Sequence, residues 1–567
     1  MNQGFVTHSD DDRFYRRSFA LGLVVLCITM VAAGRLVYVL LRPLPWPPMP
    51  GPTHQETFVP ERGGIFDHNG YVLAAARTIA DIAVSPNVVT DTVALATMLE
   101  PVLGEPREEL LAKLDPESTW VSLRTGAAWS VAQTVESWDV QGMQVEPHAT
   151  RVYPHNMLAA TVLGFVNAEG NAFYGVEAKW DPVLRGSEGK RVPERDPLGS
   201  LFYRVEAPRH GADVYLTLDR RAQAKVERIL EEAMLTTEAQ KGTAIVMEPG
   251  TGAILALAVF PTYDPNLRKD EDFDKFSNWA ISEHYEPGSV FKIVTIAAGL
   301  DAGIIAADGT YQDRGEITVG GEVIRNSDSS AHGETSIRDL LAYSLNVGAA
   351  EVSTRLGAYQ FYEYVRRFGF NEVTGVDLAG EARGSVRFPG DRDWHESDLA
   401  TNSFGQGLAV TPLQMLCAVA AVANDGVMMQ PRIVDRIVDG KSVTPIEPTA
   451  VRRVISPEAA QQITDMLVYA VDRVLTPAAV EGYKVAGKSG TSEVPTLTGY
   501  DPEETIASFA GYVPADDPKF AILVVLDRPQ KQRWGLEAAA PAFKQIATEL
   551  LALYTVPAAG GHTARSD

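Results

Sequence analysis

The sequence is short of cysteine and of positive charge, and each shortage excludes a class of protein. Its 567 residues include two cysteines, Cys27 and Cys417. A disulfide framework or a zinc site would need more ligands, so we expect neither a metal nor a cofactor. The net charge of −23 also argues against nucleic acid as a partner, because a nucleic-acid-binding protein needs a basic surface to replace phosphate counterions.

Long hydrophobic runs are scarce as well, and one is long enough to cross a membrane. Residues 18–41 are predominantly apolar with Arg35 as their single charge, and roughly 20 such residues span the hydrocarbon core as a helix. Three arginines lie just before this run, so the positive-inside rule places residues 1–17 in the cytoplasm. A cleaved signal peptide is the alternative, but its apolar core is usually shorter. We therefore predict a single-pass anchor in the plasma membrane, with the remainder of the chain outside the cytoplasm, in the periplasm or at the outer surface.

The remainder of the chain divides into segments by its composition. Residues 42–54 are dense in proline, which favours an extended, semi-rigid linker. Residues 55–213 contain short mixed elements, including a helical pattern at residues 93–113, and predict a first domain. A larger domain is predicted at residues 214–555, followed by a disordered tail at residues 556–567.

Within the larger domain, strand-like runs lie near both ends and helical patterns lie between them. The strands are predicted at residues 214–218, 243–247, 253–259, 509–513 and 520–526. The helices are predicted at residues 221–234, 289–301, 336–343, 358–368, 411–424 and 457–474. This order predicts an antiparallel sheet covered by helices, an α+β or α/β sandwich.

The most informative motif is YEPGSVFK at residues 285–292. A proline and a glycine end the preceding structure, so Ser289 is predicted at a helix N-terminus, where backbone N–H groups favour developing negative charge. Lys292 lies one turn later on the same helix face. A serine needs a base to become a nucleophile, and a lysine can be that base only if burial or another cation lowers its pKa. A second Ser-x-x-Lys at residues 187–190 shows that the pattern alone is weak.

A second motif, SLN at residues 344–346, follows a predicted helix. Ser344 supplies a hydroxyl and Asn346 a carboxamide, which together could relay a proton and hold a peptide group. The same spacing recurs at residues 85–87, so this motif also needs its context.

A third motif, KSGT at residues 488–491, follows a strand-like run. Lys488 and Ser489 could bind a substrate carboxylate, and Gly490 would let a peptide backbone approach closely. The alternative is a strand end followed by a turn, with no role in chemistry.

In this order and in these contexts, the three motifs match the S-x-x-K, S-x-N and K-[ST]-G set of penicillin-binding proteins and class A β-lactamases. The chain resembles the class B penicillin-binding proteins, which are monofunctional peptidoglycan D,D-transpeptidases, over nearly all of residues 18–555. RGGIFDHNG at residues 62–70, RVYP at 151–154 and GVE at 175–177 resemble the pedestal motifs of that family, and GQG at 405–407 resembles a hallmark of its catalytic domain.

The resemblance implies that the catalytic part of the chain has the α/β (α+β) fold of penicillin-binding proteins and serine β-lactamases. The transpeptidase domain is an antiparallel sheet sandwiched by helices. An elongated pedestal domain, of the dimerisation type, and one transmembrane helix in a bacterial plasma membrane precede it.

The resemblance also implies a mechanism. Ser289 attacks the carbonyl between two D-alanines of a peptidoglycan stem peptide, and Lys292 takes the serine proton. Ser344 helps pass that proton to the leaving amine, while Lys488 tunes the local charge. An amine of a neighbouring stem peptide then attacks the acyl-enzyme and forms the cross-link.

The remaining motif residues are implied to bind the substrate. Asn346 positions the donor peptide, and Ser489 and Thr491 contact its terminal carboxylate. The backbone N–H groups of Ser289 and Thr491 form the oxyanion hole. Ser489 replaces the threonine found in many relatives, which keeps the hydroxyl and removes only a methyl group.

The end of the chain resembles the division, or septal, type of the family. The segments are FAGYVPAD at residues 509–516, VVLDRP at 524–529 and AAPAF at 539–543. The resemblance implies septal cell-wall synthesis, with stem peptides ending in D-Ala-D-Ala as substrates and β-lactams as covalent inhibitors. It implies a membrane glycan polymerase of the SEDS type and divisome proteins as partners.

Two other functions remain as alternatives. A D,D-carboxypeptidase or a β-lactamase-like protein would use water as the acceptor, although β-lactamases usually lack a pedestal. A non-catalytic scaffold would keep the fold and recruit division proteins, although the chain carries every motif residue that the chemistry needs. Turnover of a β-lactam would indicate the first function, and the lack of a covalent adduct would indicate the second.

Overall fold

The computed structural model describes residues 10–41, 56–58, 60–195, 201–496 and 499–558. The chain forms two compact units, one of Met1–Val59 with Glu188–Pro208 and one of Pro60–Ser187 with Arg209–Asp567. The predicted linker at residues 42–54 lies wholly outside the described residues, as do residues 1–9 and residues 559–567 of the predicted tail. The domain boundaries of the sequence analysis therefore stay predictions.

The helices are numbered along the chain. They are α1 (Asp10–Leu41), α2 (Thr92–Leu103), α3 (Arg107–Lys113), α4 (Trp129–Glu136), α5 (Ala160–Leu163), α6 (Gly175–Lys179), α7 (Asp181–Leu184), α8 (Arg220–Thr237), α9 (Trp279–Ser282), α10 (Lys292–Asp301), α11 (Ile337–Ala342), α12 (Asn346–Leu356), α13 (Ala358–Arg367), α14 (Glu396–Ser403), α15 (Pro412–Ala423), α16 (Pro457–Arg473) and α17 (Gly535–Leu553).

The strands are numbered in the same way. They are β1 (Glu56–Phe58), β2 (Ile65–Phe66), β3 (Val72–Val84), β4 (Val121–Ala128), β5 (Met143–Val152), β6 (Phe165–Val166), β7 (Ala172–Phe173), β8 (Gly189–Arg195), β9 (Leu201–Glu206), β10 (Asp213–Leu216), β11 (Lys241–Met247), β12 (Ile254–Phe260), β13 (Thr310–Asp313), β14 (Glu316–Val319), β15 (Glu322–Arg325), β16 (Gly333–Ser336), β17 (Val427–Met429), β18 (Val434–Asp439), β19 (Ser442–Pro445), β20 (Ala450–Arg453), β21 (Ala486–Thr496), β22 (Gly499–Val513) and β23 (Phe520–Asp527).

The first unit contains α1 and a small sheet. Within α1, Arg16–Tyr38 has a mean hydropathy of 2.2, and among the described residues it is the one helix long and apolar enough to cross a membrane. This helix could serve as a membrane anchor. The sheet pairs β1, β8 and β9 in that order, with antiparallel neighbours.

The second unit contains a seven-stranded sheet centred on β3, which pairs with β2, β4 and β5. Helices α2, α3 and α4 pack on β3, β4 and β5 through a core that includes Ile82, Leu99, Leu110 and Val135. The helical pattern predicted at residues 93–113 is two helices, because Gly104 ends α2 in the left-handed region with φ +67, a conformation that glycine adopts without strain.

The second unit also contains a five-stranded antiparallel sheet in the order β12, β11, β23, β22, β21. Successive side chains of a strand point to opposite faces, and both faces of this sheet are apolar. Ala244 and Val246 of β11 share one buried cluster with α8 and α17. Ile245 and Met247 share the other with α10, α15 and α16. Helices therefore cover both faces, which confirms the predicted antiparallel sheet between helical layers.

The start of α8 shows how the sequence defines these elements. Asp219 caps the helix, since its side chain accepts a hydrogen bond from the backbone N–H of Arg221, as an N-cap aspartate does. Helix α8 then returns its apolar face to β11 and β12. The predicted strand, cap and helix are confirmed here within a few residues.

A buried ion-pair cluster holds the residues before β2 against α6. Glu177 is fully buried, and its carboxylate accepts hydrogen bonds from Nε of Arg62 at 2.8 Å and Nε of Arg151 at 2.6 Å. Arg62 also pairs with Asp181 at 2.6 Å. Burial of these charges is costly unless each is paired, so the cluster depends on Glu177.

Glu177→Ala is expected to lower the free energy of unfolding by about 3–5 kcal/mol, because it leaves the buried guanidinium of Arg151 without its anion and that of Arg62 with Asp181 alone. The measurement is denaturant unfolding of the full chain in detergent. Glu232→Ala is the matched control, since its pair with Arg228 is exposed and its loss should change stability by less than about 1 kcal/mol. Equal unfolding midpoints for the two variants would contradict the structural role of the cluster.

Candidate active site

Ser289 lies in a one-turn 3₁₀ helix, Gly288–Phe291, that leads directly into α10. Gly288 has φ +54, which turns the chain sharply before the serine. The predicted helix start is confirmed, although its first turn is 3₁₀ rather than α-helical. Ser289 itself is half-buried and faces a cleft.

Lys292 brings the residues of the first two motifs together. Its side chain is fully buried. The Nζ atom lies 3.1 Å from Oγ of Ser289, 3.1 Å from Oγ of Ser344 and 2.7 Å from Oδ1 of Asn346. It also lies 2.5 Å from the backbone oxygen of Ser344. One amine therefore contacts both hydroxyls and the carboxamide.

The surroundings of Lys292 favour its neutral form. Burial lowers the pKa of the amine well below its ordinary value, and the charge of Lys488 lowers it further. Burial also lowers the pKa of Lys488, to about 7. A neutral amine can accept the proton of a hydroxyl at hydrogen-bond distance. The condition expected for Lys292 as a base, a pKa lowered by burial or by another cation, is therefore met.

The second motif lies where the chain passes from α11 to α12. One left-handed backbone conformation and one hydrogen bond set the directions of its side chains. Ser344 has φ +63, an uncommon conformation for a residue other than glycine. Nδ2 of Asn346 donates to the backbone oxygen of Arg325 at 3.2 Å, which leaves Oδ1 directed at Lys292. Ser344, in the loop between the helices, and Asn346, the first residue of α12, thus present their side chains to one point.

Strand β21 carries the third motif along one wall of the cleft. Ser489 and Thr491 are half-buried and line the cleft, whereas Lys488 and Gly490 are buried, as the alternation of a strand requires. Nζ of Lys488 donates to the backbone oxygen of Ser489 at 2.9 Å. The structure therefore places Ser289, Ser344, Asn346, Ser489 and Thr491 around a single cleft of about 530 Å³.

The cleft has further lining residues that the motifs do not include. They are Gly288, Ser327, Phe404, Gln406, Glu493, Thr505, Arg533, Trp534 and Leu536. Glu493 follows from the alternation of β21, because it lies two residues beyond Thr491. Arg533 and Trp534 come from the connection between β23 and α17, and no local pattern indicated their position.

Gly490 has a packing role that differs from the predicted one. A Cβ atom at this position would lie 2.5 Å from Oγ of Ser508, 2.8 Å from the backbone oxygen of Pro287 and 2.8 Å from Cγ2 of Val290. The glycine therefore lets β21 approach the turn that carries Ser289. The structure explains it by this contact, and close approach of a substrate backbone stays a prediction.

The residues that the structure describes contain no group of three or more histidine, cysteine, aspartate or glutamate side chains that could hold a metal ion. The hydroxyls of Ser289 and Ser344 lie within hydrogen-bond distance of the Lys292 amine. Such a set suits nucleophilic attack with proton transfer to an amine.

Comparison with known proteins identifies the family. The model of the penicillin-binding protein transpeptidase domain matches residues 242–548, and that of the penicillin-binding protein dimerisation domain matches residues 57–216. Stage V sporulation protein D of Bacillus subtilis (strain 168) is 32% identical over 518 residues, which cover 87% of this chain and 78% of that protein. A protein of Pseudomonas aeruginosa named probable peptidoglycan D,D-transpeptidase PbpC is 29% identical over 561 residues, 97% of each chain.

A solved structure agrees with these relatives. Penicillin-binding protein 3 of Mycobacterium tuberculosis, in complex with aztreonam, has a TM-score of 0.71 and 29% identity, and the match covers 89% of this chain and 98% of that one. The chain therefore belongs to the penicillin-binding protein transpeptidases. This confirms the resemblance to class B penicillin-binding proteins, the enzyme class and the predicted fold class.

Gly490→Ala is expected to lower the free energy of unfolding by about 1–3 kcal/mol, because the added methyl group overpacks the contact between β21 and the Ser289 turn. Thermal or denaturant unfolding of the full chain measures this. Gly250→Ala is the control, since a Cβ atom there meets nothing within 4 Å. If both variants were as stable as the wild type, the contact at Gly490 would not be as tight as the structure has it.

Proposed function

We propose that this chain is a peptidoglycan D,D-transpeptidase that cross-links stem peptides through an acyl-enzyme on Ser289. The observation that carries the proposal is the single buried amine of Lys292, which lies 3.1 Å from the hydroxyl of Ser289 and 3.1 Å from that of Ser344. The relatives named as peptidoglycan D,D-transpeptidases supply the substrate class.

In acylation, Oγ of Ser289 attacks the carbonyl carbon between the two terminal D-alanines, and Lys292 accepts the hydroxyl proton. The resulting oxyanion receives hydrogen bonds from the backbone N–H groups of Ser289 and Thr491. The C–N bond then breaks, and Lys292 returns the proton by way of Ser344 to the leaving amine. D-Alanine departs and the peptide remains as an ester of Ser289.

Cross-linking reverses these proton transfers. The amine of a second stem peptide attacks the ester carbonyl, and its proton passes through Ser344 to Lys292. Collapse of the tetrahedral intermediate forms a new amide bond and returns a proton to Ser289. The amine of Lys292 thus acts as a base and then as an acid in each half of the reaction.

Substrate binding is assigned to the walls of the cleft. The terminal carboxylate of the donor peptide would contact the hydroxyls of Ser489 and Thr491, and Lys488 would add positive charge behind them. Oγ1 of Thr491 already accepts a hydrogen bond from the backbone N–H of Gly535 at 3.0 Å, so its hydroxyl hydrogen is directed elsewhere. Asn346 would hold the peptide backbone of the donor.

β-Lactams are the proposed inhibitors, because their strained amide resembles the D-Ala-D-Ala bond and no acceptor amine follows. Incubation of the full chain with benzylpenicillin is expected to add the mass of one drug molecule, and Ser289→Ala is expected to remain unmodified. Intact-mass measurement checks this. If the wild type stayed unmodified while the drug remained intact, the scaffold would be favoured; if the drug were hydrolysed, the chain would be a hydrolase.

The cellular setting is the second part of the proposal. We place residues 1–17 in the cytoplasm, residues 18–41 of α1 across the plasma membrane once, and the catalytic domain outside. The septal role rests on the resemblance of the end of the chain to division-type proteins. A membrane glycan polymerase of the SEDS type and divisome proteins are the proposed partners, reached through α1 and the pedestal at residues 55–213.

A fusion of green fluorescent protein to the N-terminus tests both the topology and the septal role. The fusion is expected to fluoresce, because a cytoplasmic N-terminus keeps green fluorescent protein inside the cell, whereas green fluorescent protein exported through the general secretion route folds poorly. The fluorescence is expected to form a band at the division site. Fluorescence along the side wall would favour an elongation role. A dark fusion of full length would contradict the cytoplasmic N-terminus.

A further inference from the structure

The buried carboxylate of Glu286 has no part in the mechanism above, although it lies just before the turn that carries Ser289. Glu286 is 8% exposed. A carboxylate is rarely buried unless its oxygens are paired. Its partners therefore indicate what it holds in place.

Three elements meet at this residue. The hydroxyl of Tyr500, at the start of β22, donates to the two carboxylate oxygens at 3.2 Å each. The backbone N–H of Gly407 donates to Oε1 at 3.1 Å. The backbone oxygen of Glu286 accepts from Oγ of Ser492 on β21 at 2.7 Å. One residue thus joins the Ser289 turn to the β21–β22 hairpin and to the loop after α14.

The turn has little room to move between these neighbours. The backbone N–H of Gly288 donates to the backbone oxygen of Gly405 at 3.1 Å, and a Cβ atom on Gly405 would collide with Gly288. On the other side, a Cβ atom on Gly288 would lie 2.7 Å from the backbone oxygen of Thr491. A shift of either neighbour therefore displaces Ser289 relative to the cleft wall.

The charge of Glu286 is set by its surroundings. Burial raises the pKa of the carboxyl to about 7, and the Gly407 N–H, the Tyr500 hydroxyl and the guanidinium of Arg387 oppose that rise. Arg387 is itself paired with Asp398 at 2.9 Å. Hydrogen bonds to an ionised acceptor are roughly twice as strong as those to a neutral one. The hydrogen bonds from Tyr500 and the Gly407 N–H to Glu286 therefore become stronger when the carboxyl loses its proton.

We propose that Glu286 is a positioning residue for acylation, which fixes Ser289 against β21 through Tyr500 and the Gly407 amide. The inference rests on the proposed function, since acylation of Ser289 is the step that it supports. Glu286 does not touch the reacting atoms. It acts through the backbone of the turn, and its ionised form holds the turn more firmly than its protonated form.

The experiment compares acylation of full-length variants by benzylpenicillin from pH 6 to pH 8.5. Glu286→Gln keeps the shape and removes the charge, Glu286→Ala removes the acceptor, and Tyr500→Phe removes the donor on the hairpin. Glu283→Gln and Tyr359→Phe are the matched controls, since the first is half-exposed and the second is 85% exposed. The second-order rate constant of acylation is measured for each variant at each pH.

The ratio of the acylation rate constant of the wild type to that of Glu286→Gln is expected to be near 1 at pH 6 and to rise to about 10 at pH 8.5. The reason is that the glutamine imitates the protonated carboxyl. The midpoint of this rise should lie close to pH 7. Glu286→Ala should lose about tenfold or more at every pH, as loss of a buried hydrogen-bond acceptor does. Tyr500→Phe should slow acylation in the wild type and change nothing further in the Glu286→Ala background.

Two outcomes would overturn the inference. A ratio that does not change with pH would mean that the charge of Glu286 has no role in acylation. Additive losses for Tyr500→Phe and Glu286→Ala would mean that the two residues do not act together. Failure of the proposed function looks different, because wild type and controls would then also remain unacylated at every pH.

Discussion

The exclusion of water from the amine of Lys292 is the constraint on which the rest of the site depends. An ammonium group in a buried site has lost its hydration, and this cost lowers the pKa of the amine. The nearby Lys488 adds to the effect. The protein recovers part of the cost through the oxygens of Ser289, Ser344 and Asn346, which are placed within hydrogen-bond distance. The same oxygens are those that a proton must reach, so the contacts that make burial tolerable also define the proton path.

Such convergence requires backbones to approach more closely than side chains usually permit. Three glycines make it possible: Gly288, Gly405 and Gly490 each face another segment where a Cβ atom would be crowded. Strand β21, the Ser289 turn and the loop after α14 therefore meet as backbones. Side-chain rearrangement contributes little freedom at such contacts, which makes the relative positions of the three segments stiff. This stiffness gives one buried carboxylate, Glu286, influence over the position of the serine.

The features that the sequence predicted are those that depend on residues close together in the chain. The helix start at Ser289, the cap at Asp219 and the strands β11 and β12 depend on neighbours in the chain, and their patterns predicted them. The five-stranded sheet followed from the placement of strands at both ends of the domain. Helix α17 has Pro541 in its interior, and proline usually breaks a helical pattern, so its local sequence does not indicate a long helix.

Long-range contacts account for the parts that sequence did not predict. The packing role of Gly490 depends on Pro287 and Val290, which are far away in sequence. The partners of Glu286 come from β22 and from the loop after α14, and no spacing in the motif points to them. The motif residues were found because their order along the chain is informative, whereas the roles assigned to them stay predictions.

The seven-stranded sheet of the second unit has a consequence for how the chain folds. Strand β2 pairs in parallel with β10, and β10 pairs with β18, which itself pairs with β19. The sheet thus joins residue 65 to residue 445 and cannot be completed until most of the chain has been synthesised. Contacts between residues so distant in sequence form slowly, because a long loop must close first. During synthesis from the N-terminus, β10 can cover β2 early, but the other edge of β10 remains open to wrong pairing until β18 has been made. Premature termination before β18 would leave β10 as an uncovered edge of this sheet.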